Sequence, residues 1–484
     1  MLDLFIIGGG VNGAGIARDA AGRGLKVGLV DAGDFGGATS SASSKLLHGG
    51  LRYLEFGEFR LVHKALNERA IIFSIAPHLA KPLAFVLPRL PHSHRSAWLV
   101  RLGLWLYDHL GNRGGMPAMH AITLQTDRAG QGVDPKLRSA WRYWDGWIDD
   151  SRLVIANLRD AEARGAWLRP YDGVVGATQT EHGWDITLAS GERLTARFII
   201  NAAGPWAEQV ARDVLRLADA PKLRLVQGAH IVIDRPTSAE DALVVEQPDG
   251  RIVFPIPWLE NSLMIGTTDT PIDHPERPEP TEAEVDYLIE AANRILAIPI
   301  SRSDVCWTCA GVRPLVLEKG KAARETSRDW HLVKHRDAPA MSIVGGKITT
   351  YRKLAEDVLA QVTRGRKTWT AGVPLIGGDF RSATVTDNRT AWTDWLAALV
   401  LKHAAYEPAV VMQFAHRYGT EAEAMLTAGL GRKIGGLYEA ELQHLVTKEW
   451  ARTADDILLR RTRVGVNDDG KAFAEITQWL KDNL

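Results

Sequence analysis

The hydrophobic pattern at the start of the chain predicts a buried strand, a glycine turn and a helix. Residues 4–7 are an apolar run without polar alternation, residues 8–15 are rich in glycine, and residues 16–21 have a helical pattern. A second apolar run, residues 27–30, ends at Asp31. Because short apolar runs bounded by glycine are typical of strands in a parallel sheet, the order strand, turn, helix, strand is expected here.

The pattern of a strand followed by glycine returns at residues 197–206 and at residues 341–351, where a helical pattern follows. These repeats predict an α/β, Rossmann-type domain assembled from separate pieces of the chain. We assign to this nucleotide-binding domain residues 1–60, 150–210 and 340–365. The intervening residues, 61–149 and 211–339, are then expected to form a second domain that is inserted twice.

The inserted segments have a different pattern. Short β-rich runs between residues 224 and 267 are separated by Pro, Gly and Asn, which is typical of an antiparallel sheet. Thr281 and Glu284 have the spacing of a capping box at the start of a helix. We therefore predict an α+β substrate domain. From about Asp387 onward strands are not expected, and helical periodicity, including residues 438–460, predicts a helical C-terminal domain over residues 387–484.

Composition narrows the class of protein. The chain has 484 residues, 58 Lys and Arg against 58 Asp and Glu, and 45% hydrophobic residues, which excludes disordered, collagen-like and coiled-coil proteins. The neutral charge balance disfavours nucleic-acid binding. The only two cysteines, Cys306 and Cys309, exclude a secreted disulfide framework and favour a reducing compartment. We interpret their CxxC spacing as structural, and no metal site is expected.

Two stretches of the sequence bear on membrane targeting and insertion. The N-terminus has no basic region before its apolar run, so neither a signal peptide nor a transit peptide is expected. The longest apolar stretch, residues 98–107, is interrupted by Arg101 and is shorter than a membrane span requires. No transmembrane helix is predicted.

The N-terminal glycines fit a dinucleotide fingerprint. Gly8, Gly10 and Gly13 have G-x-G-x-x-G spacing between the predicted strand and helix, and Asp31 follows Gly8 by 23 positions. That separation suits an acid that meets a ribose hydroxyl, while the pyrophosphate lies on the helix N-terminus. Residues 38–53 add many hydroxyl groups and end in His48, Arg52 and Tyr53, which suits contacts to phosphates and polar substrates.

Several segments together resemble FAD-dependent glycerol-3-phosphate dehydrogenases. They are the glycine turn, residues 39–54, Gly204-Pro205-Trp206, Gly311-Val312-Arg313-Pro314 and residues 345–355. Residues 439–442 and 449–456 resemble the helical C-terminal domain of that family. The resemblance covers essentially the whole chain. It implies a glutathione-reductase-like FAD domain, oxidation of sn-glycerol 3-phosphate to dihydroxyacetone phosphate and, in bacterial members, electron transfer to membrane quinone, either ubiquinone or menaquinone.

The matched segments supply the candidate site residues. For FAD they are Gly8, Gly10, Gly13, Asp31, Thr39, Ser40, Ser44, Lys45, Gly204, Gly345, Gly346 and Ile348. For the substrate phosphate, which calls for two or three charge-assisted donors, they are Arg52, Tyr53, Arg313, Arg328 and Lys347. A surface salt bridge is the alternative for Arg328.

Oxidation of an alcohol also requires a base. His230 interrupts an apolar β-run and is our first choice, although a hydrogen-bonded core histidine would give the same pattern. Lys347 is the alternative base if burial and nearby cations lower its pKa, and its charge would stabilise the developing alkoxide. We therefore name His230, Lys347 and Arg313 as the catalytic candidates.

Residues 95–113 are apolar with Trp, Tyr and Arg, which fits either an interfacial membrane helix or a buried core helix. The resemblance favours peripheral attachment to the cytoplasmic face of the inner membrane. Two other functions remain open. One is a soluble oxidase that passes electrons to O2 and produces H2O2, and the other is a non-catalytic flavin-binding redox sensor. The sequence also leaves open whether two copies pair as a homodimer.

Overall fold

The computed structural model describes residues 1–90, 95–234, 240–259, 261–317, 329–363 and 366–483. Its strands, in chain order, are β1 (Leu2–Ile7), β2 (Val27–Val30), β3 (Leu46–Leu47), β4 (Ala80–Pro88), β5 (His120–Thr123), β6 (Ser139–Ile148), β7 (Trp167–Arg169), β8 (Val174–Thr180), β9 (Gly183–Leu188), β10 (Arg193–Asn201), β11 (Leu223–Asp234), β12 (Ala242–Leu243), β13 (Val245–Glu246), β14 (Ile252–Trp258), β15 (Ser262–Gly266), β16 (Thr270–Ile272), β17 (Val305–Val316), β18 (His331–Lys334), β19 (Ala340–Val344), β20 (Lys433–Ile434) and β21 (Leu437–Tyr438).

The α-helices are α1 (Val11–Gly22), α2 (Phe59–Ile75), α3 (Ala97–Leu110), α4 (Asp150–Ala163), α5 (Ala207–Gln209), α6 (Glu282–Asn293), α7 (Tyr351–Val362), α8 (Asn388–Lys402), α9 (Pro408–Tyr418), α10 (Ala422–Ala428), α11 (Glu439–Glu449) and α12 (Lys471–Asn483). Short 3₁₀ turns lie at Leu51–Phe56, Arg128–Gly130, Gly204–Trp206, Arg302–Asp304, Ile348–Thr350, Gly419–Glu421 and Val464–Asn467. Two π-helical turns lie at Val210–Val214 and Asp456–Arg461.

The first sheet has the strand order β18-β19-β10-β1-β2-β7, with the β8–β9 hairpin joined to β10. The strands β19, β10, β1, β2 and β7 run parallel, which confirms the Rossmann-type α/β domain. Helices α1, α4 and α7 contribute buried side chains to the core on this sheet. Ala14, Ala17 and Ala20 of α1 are fully buried, and their small side chains allow the helices to pack closely.

Two further sheets carry the expected antiparallel pairing. One has the order β12-β4-β6-β3 with β5 beside β6, and the other has the order β13-β14-β15-β11-β16 with β17 beside β11. Among the described strand pairs of these two sheets, β12 with β4 is the only parallel one. The capping box is confirmed, because Thr281 and Glu284 each accept the other's backbone N–H at the start of α6. Strand β3 comes from the predicted segment 1–60 yet pairs with β6, and the exact domain boundaries stay a prediction.

The C-terminal region is helical, as predicted, with two local corrections. Strands β20 and β21 form a hairpin where no strand was expected, because Gly435 and Gly436 both adopt positive φ and make a tight turn. The helix predicted over residues 438–460 is interrupted at Trp450, which has a φ of 58° and ends α11. Apolar periodicity missed this break because Leu445 and Ile457, on either side of it, face the same core.

Helix α3 shares a core with side chains of β4 and β6 and is apolar on two faces. Leu104 and Tyr107 are buried against the protein. The opposite face carries an exposed apolar stripe of Trp98, Leu99, Leu102 and Trp105. Within the described ranges, no helix combines the length and the hydropathy needed to cross a bilayer.

Candidate active site

The glycine turn between β1 and α1 admits no larger residue at two positions. Gly8 has a φ of 107°, and a Cβ there would lie 2.5 Å from the carbonyl oxygen of Ala202. A Cβ at Gly13 would lie 2.0 Å from the carbonyl oxygen of Gly8. Gly10, the N-cap of α1, adds no side chain of its own over the first turn, where Ser40 Oγ accepts from Val11 N, and the positive end of this helix suits an anion. This cradle fits the pyrophosphate of a dinucleotide.

Asp31 lies beside this turn. Its carboxylate accepts hydrogen bonds from Gly9 N (2.7 Å) and Gly33 N (2.9 Å). Burial raises the pKa of Asp31 to about 6, although both hydrogen bonds act in the opposite direction. The carboxylate is therefore ionised at pH 7 and adjacent to the cradle, where the sequence predicts that it meets the adenosine ribose.

The hydroxyl-rich loop of residues 38–45 connects the glycine turn to β17. Ser40 Oγ accepts from Val11 N (2.9 Å), and Thr39 Oγ1 donates to the carbonyl of Val312 (2.6 Å). Gly311 permits the close approach, since a Cβ there would lie 3.0 Å from the Ala42 side chain. The loop thus brings the predicted residues Thr39 and Ser40 between the FAD-binding sheet and the substrate sheet.

At the end of this loop two predicted cofactor residues contact protein groups. Ser44 Oγ lies 2.8 Å from His230 Nε2. Lys45 is buried, and its Nζ donates to Asp150 Oδ2 (2.9 Å) and to the carbonyl of Ser41 (3.0 Å). The ammonium group of Lys45 is therefore committed to an internal ion pair, a contact that sequence reasoning did not foresee.

His230 and Arg313 project from the same face of the β11–β17 pair. His230 lies opposite Cys309, four residues before Arg313 on β17, and side chains an even number of positions apart share a face. Burial, with Arg313 and Lys45 nearby, lowers the pKa of His230 to about 3. The imidazole is therefore neutral at pH 7, the state that a proton acceptor requires.

The guanidinium of Arg313 is oriented by three groups on one loop. It donates to Asp269 Oδ1 (2.7 Å), to the carbonyl of Thr268 (3.2 Å) and to Thr267 Oγ1 (3.1 Å). A Cβ at Gly228 would lie 2.5 Å from its Nη2, so glycine on the neighbouring strand makes room for it. Thr267 and Asp269 were missed by the sequence analysis, where residues 262–267 stood out only as a β-rich run.

Lys347 and Tyr53 meet on the other side of the site. The Lys347 ammonium lies 3.7 Å from the centroid of the Tyr53 ring, a cation–π distance. Gly345 and Gly346 have positive φ, and Asn12 of α1 donates to the carbonyl of Gly345 (3.1 Å). The predicted FAD residues of this turn and Ile348, which begins the next 3₁₀ turn, therefore lie close to the start of α1.

Arg52 follows Leu51 in the 3₁₀ turn, and its guanidinium packs over Phe56. Gly204 begins its own 3₁₀ turn after β10 with a φ of 56°. Arg328 lies outside the described residues. The described residues also contain no cluster of three or more His, Cys, Asp or Glu side chains placed to hold a metal ion.

A cavity of about 640 Å³ opens beside this group. Arg52, Tyr53, Thr267 and Asp269 line one part of it. The remaining walls are largely apolar and come from the two antiparallel sheets and from α3, with Phe85, Trp141, Tyr143, Phe254, Leu99 and Leu102 among them. Because Leu99 and Leu102 also belong to the exposed apolar stripe, the cavity borders that surface.

Comparison with known proteins agrees with this architecture. The family model described as "FAD dependent oxidoreductase" matches residues 3–352, and the one described as "C-terminal domain of alpha-glycerophosphate oxidase" matches residues 368–484. The aerobic glycerol-3-phosphate dehydrogenase of Escherichia coli (strain K12) is 39% identical over 99% of this chain and 97% of its own length. The chain belongs to the FAD-dependent glycerol-3-phosphate dehydrogenase family.

Other members of this group differ in their named substrate. The D-erythritol 1-phosphate dehydrogenase of Brucella abortus (strain 2308) is 40% identical over 99% of this flavoprotein and 97% of its own length. A crystal structure of the glycerol-3-phosphate dehydrogenase from Bacillus halodurans complexed with FAD superposes with a TM-score of 0.79 at 27% identity, covering 100% of this chain and 90% of that one. FAD is therefore the cofactor, as predicted, and the cradle at Gly8, Gly10 and Gly13 fits its pyrophosphate.

Proposed function

We propose that this flavoprotein oxidises sn-glycerol 3-phosphate to dihydroxyacetone phosphate and passes the electrons to a membrane quinone. The observation that carries the proposal is that Arg313, a cation, and His230, a neutral proton acceptor, lie on one face of the β11–β17 pair. Arg313 is held there by Thr267 and Asp269, which line the same cavity as Arg52 and Tyr53. FAD supplies the hydride acceptor.

The phosphate dianion is assigned to Arg313, with Arg52, Lys347 and Tyr53 as further donors. The planar guanidinium of Arg313 can form two-point contacts with phosphate oxygens, which an ammonium group cannot. Asp269 orients this guanidinium and offsets part of its charge before substrate binds. Arg328, which the resemblance to the family also implies for the phosphate, stays a candidate.

His230 is assigned to accept the hydroxyl proton. Its imidazole is neutral because burial and the cations Arg313 and Lys45 oppose protonation. A bound phosphate dianion would offset the charge of Arg313 and so raise the pKa of His230, which would make it a stronger base when substrate is present. Lys347 is the alternative base, and its charge suits stabilisation of a developing alkoxide.

The exposed apolar stripe on α3 supports a membrane-borne acceptor. Trp98 is 68% exposed and Trp105 is 51% exposed, and aromatic side chains of this kind favour the headgroup region of a bilayer. The apolar cavity borders this stripe, so a lipid-dissolved ubiquinone or menaquinone would meet the protein near the flavin site. We place the protein peripherally on the cytoplasmic face of the inner membrane, and pairing as a homodimer stays a hypothesis.

The alternative substrate that we propose is D-erythritol 1-phosphate. The Brucella abortus relative that carries this name is as similar to the chain as the Escherichia coli relative is. A four-carbon polyol phosphate presents the same phosphate to Arg313 and needs more room, and the cavity of about 640 Å³ is within the range of sites that hold larger ligands.

The test is anaerobic reduction of the bound flavin, followed by reoxidation. Glycerol 3-phosphate should bleach the visible absorbance, and glycerol should not, because it lacks the phosphate that makes charge-assisted contacts with Arg313, Arg52 and Lys347. A higher kcat/KM with D-erythritol 1-phosphate would reassign the substrate, and no bleaching by either phosphate would favour a redox sensor. Faster reoxidation by a soluble quinone than by O2 is expected, whereas fast reoxidation by O2 with H2O2 release would identify an oxidase.

A further inference from the structure

Asp150 is a fully buried carboxylate at the start of α4 that binds the hydroxyl-rich loop. It accepts hydrogen bonds from Ser43 Oγ (2.7 Å) and from Lys45 Nζ (2.9 Å), both to Oδ2. Ser44, between these two residues, is the one whose Oγ lies 2.8 Å from His230 Nε2. Asp150 therefore fixes the residues on both sides of the contact to His230.

The C-terminal domain supplies the cation that completes this cluster. Arg463 donates to Asp150 Oδ1 (2.5 Å) and, through both terminal nitrogens, to Asp149 (2.8 and 2.9 Å). Asp149 and Asp150 hold the pKa of Arg463 above its usual value despite the cost of burial. Two carboxylates thus face two cations, Arg463 and Lys45, so removal of Arg463 would leave the buried cluster with excess negative charge.

The backbone supports a specific role for Arg463. It adopts a φ of 61°, in the left-handed region that is rare for residues other than glycine, immediately before the turn Val464–Asn467. Its guanidinium and the Lys45 ammonium lie 6.0 and 5.7 Å from the centroid of the same Trp258 ring. The side chain is therefore placed between the C-terminal domain, the loop and the substrate sheet.

We infer that Arg463 is a positioning residue through which the C-terminal domain sets the geometry of the hydroxyl-rich loop. It acts through Asp150 on Ser43 and Lys45, and so on the contact between Ser44 and His230. The inference rests on the proposed function for its catalytic consequence, because the loop matters for turnover only if His230 or the flavin acts on substrate.

The test compares Arg463→Met with Arg159→Met. Arg159 also joins α4 to the C-terminal domain, through Glu421 (Nη2 to Oε1, 2.9 Å), but it lies nine positions further along the helix from Asp150. Both variants lose a charge and an ion pair between the same two parts of the protein. Only Arg463→Met removes a partner of Asp150.

For Arg463→Met we expect the limiting rate of anaerobic flavin reduction to fall by about tenfold or more, the size of a lost charge-assisted contact. The substrate concentration that gives half of this limiting rate should change little. Amide hydrogen exchange of residues 41–47 should become faster, and the visible flavin spectrum should shift. Arg463→Lys should recover part of each effect because it keeps the charge. The Arg159→Met variant should show none of these changes, whatever its effect on unfolding temperature.

Unchanged exchange and spectrum in a folded Arg463→Met protein would overturn the inference, as would equal changes in Arg159→Met. If Arg463→Met does not fold, Arg463→Lys must show the same changes at smaller size, or the inference fails. If glycerol 3-phosphate does not bleach the unmodified protein, the proposed function fails, while the exchange and spectral comparison still decides the role of Arg463.

Discussion

At the scale of single residues, His230 gives a prediction about pH. Burial and two nearby cations lower its pKa to about 3, so the imidazole stays neutral as the pH falls from 8 to 5. We expect stopped-flow measurements of anaerobic flavin reduction at low substrate concentration, which report the pKa of the free enzyme, to show no loss of rate from this group over that range. His230→Gln should slow the reduction by about 10²–10⁴-fold while FAD stays bound. A normal rate in that variant would transfer the role of base to Lys347.

Asp31 gives a second prediction at the same scale. Removal of a charged acceptor in Asp31→Ala should weaken FAD binding by about 1.5–3 kcal/mol, measured by fluorescence of released FAD. Because burial raises the pKa of Asp31 to about 6, protonation below that pH removes acceptor capacity from the side chain. FAD release should therefore increase below about pH 6 in the unmodified protein but not in Asp31→Ala. Asp3→Ala is the control, since Asp3 accepts from Lys26 N at the surface. Equal FAD affinity in Asp31→Ala would remove Asp31 from the site.

Sequence reasoning worked at residues whose role is local and failed where partners are distant in the chain. Gly8 and Gly13 were predictable because a turn between a strand and a helix has a fixed glycine spacing. The partners of Lys45 and Arg313 were not, since Asp150 is 105 positions from Lys45 and Asp269 is 44 positions from Arg313. No periodicity records such contacts, which arise only when separate sheets pack together.

At the scale of elements, helix α3 shows what a pattern can and cannot settle. Residues 95–113 were compatible with an interfacial helix or a core helix, and α3 has both a buried face and an exposed apolar stripe. Hydrophobicity reports that a side chain prefers to leave water, but not whether protein or lipid covers it. The break at Trp450 escaped notice for another reason, because apolar residues on both sides of it face one core and the helical pattern continues across it.

The stripe on α3 gives the prediction at this scale. Trp98→Glu combined with Trp105→Glu should release the protein from anionic vesicles in a sedimentation assay, because two charges would enter the headgroup region. Anaerobic flavin reduction by glycerol 3-phosphate should be unchanged, since both side chains are more than half exposed and, unlike Leu99 and Leu102, are not among the residues that line the cavity. The matched control is Leu401→Glu with Met412→Glu, which places the same charges on exposed positions of α8 and α9.

The outcomes of this comparison are distinct. Loss of vesicle binding only in the α3 variant supports attachment through α3, and loss only in the control would place attachment in the C-terminal helices. If the α3 variant unfolds or releases FAD, the segment belongs to the core and the membrane proposal is wrong.

At the scale of the whole molecule, ion pairs on α4 join the FAD-binding sheet to the C-terminal domain. The helix packs against α1 and also carries Arg152, Arg159 and Asp150, which form ion pairs with Glu449, Glu421 and Arg463. A separate pair joins Asp34, after β2, to the fully buried Arg461. The two parts are therefore held together by charges withdrawn from water, an arrangement in which the loss of one partner is costly.

Glu449 gives the last prediction. It is fully buried, its Oε1 accepts from Arg152 Nη2 (2.8 Å), and Arg152 together with His444 holds the pKa of Glu449 well below its usual range despite burial. A carboxyl group whose pKa is lower in the folded state stabilises the protein above its unfolded pKa, and this stability is lost as the pH falls below that value.

Glu449→Gln keeps the shape and leaves the Arg152 charge buried, so it should reduce the free energy of unfolding by about 3–5 kcal/mol at pH 7. Urea unfolding of both proteins from pH 7 to pH 3 should show a constant difference above about pH 5.5 that shrinks below about pH 4.5, the ordinary range of a glutamate. A difference that stays constant down to pH 3 would mean that the charge of Glu449 does not stabilise the junction, and that shape alone decides how the C-terminal domain packs on α4.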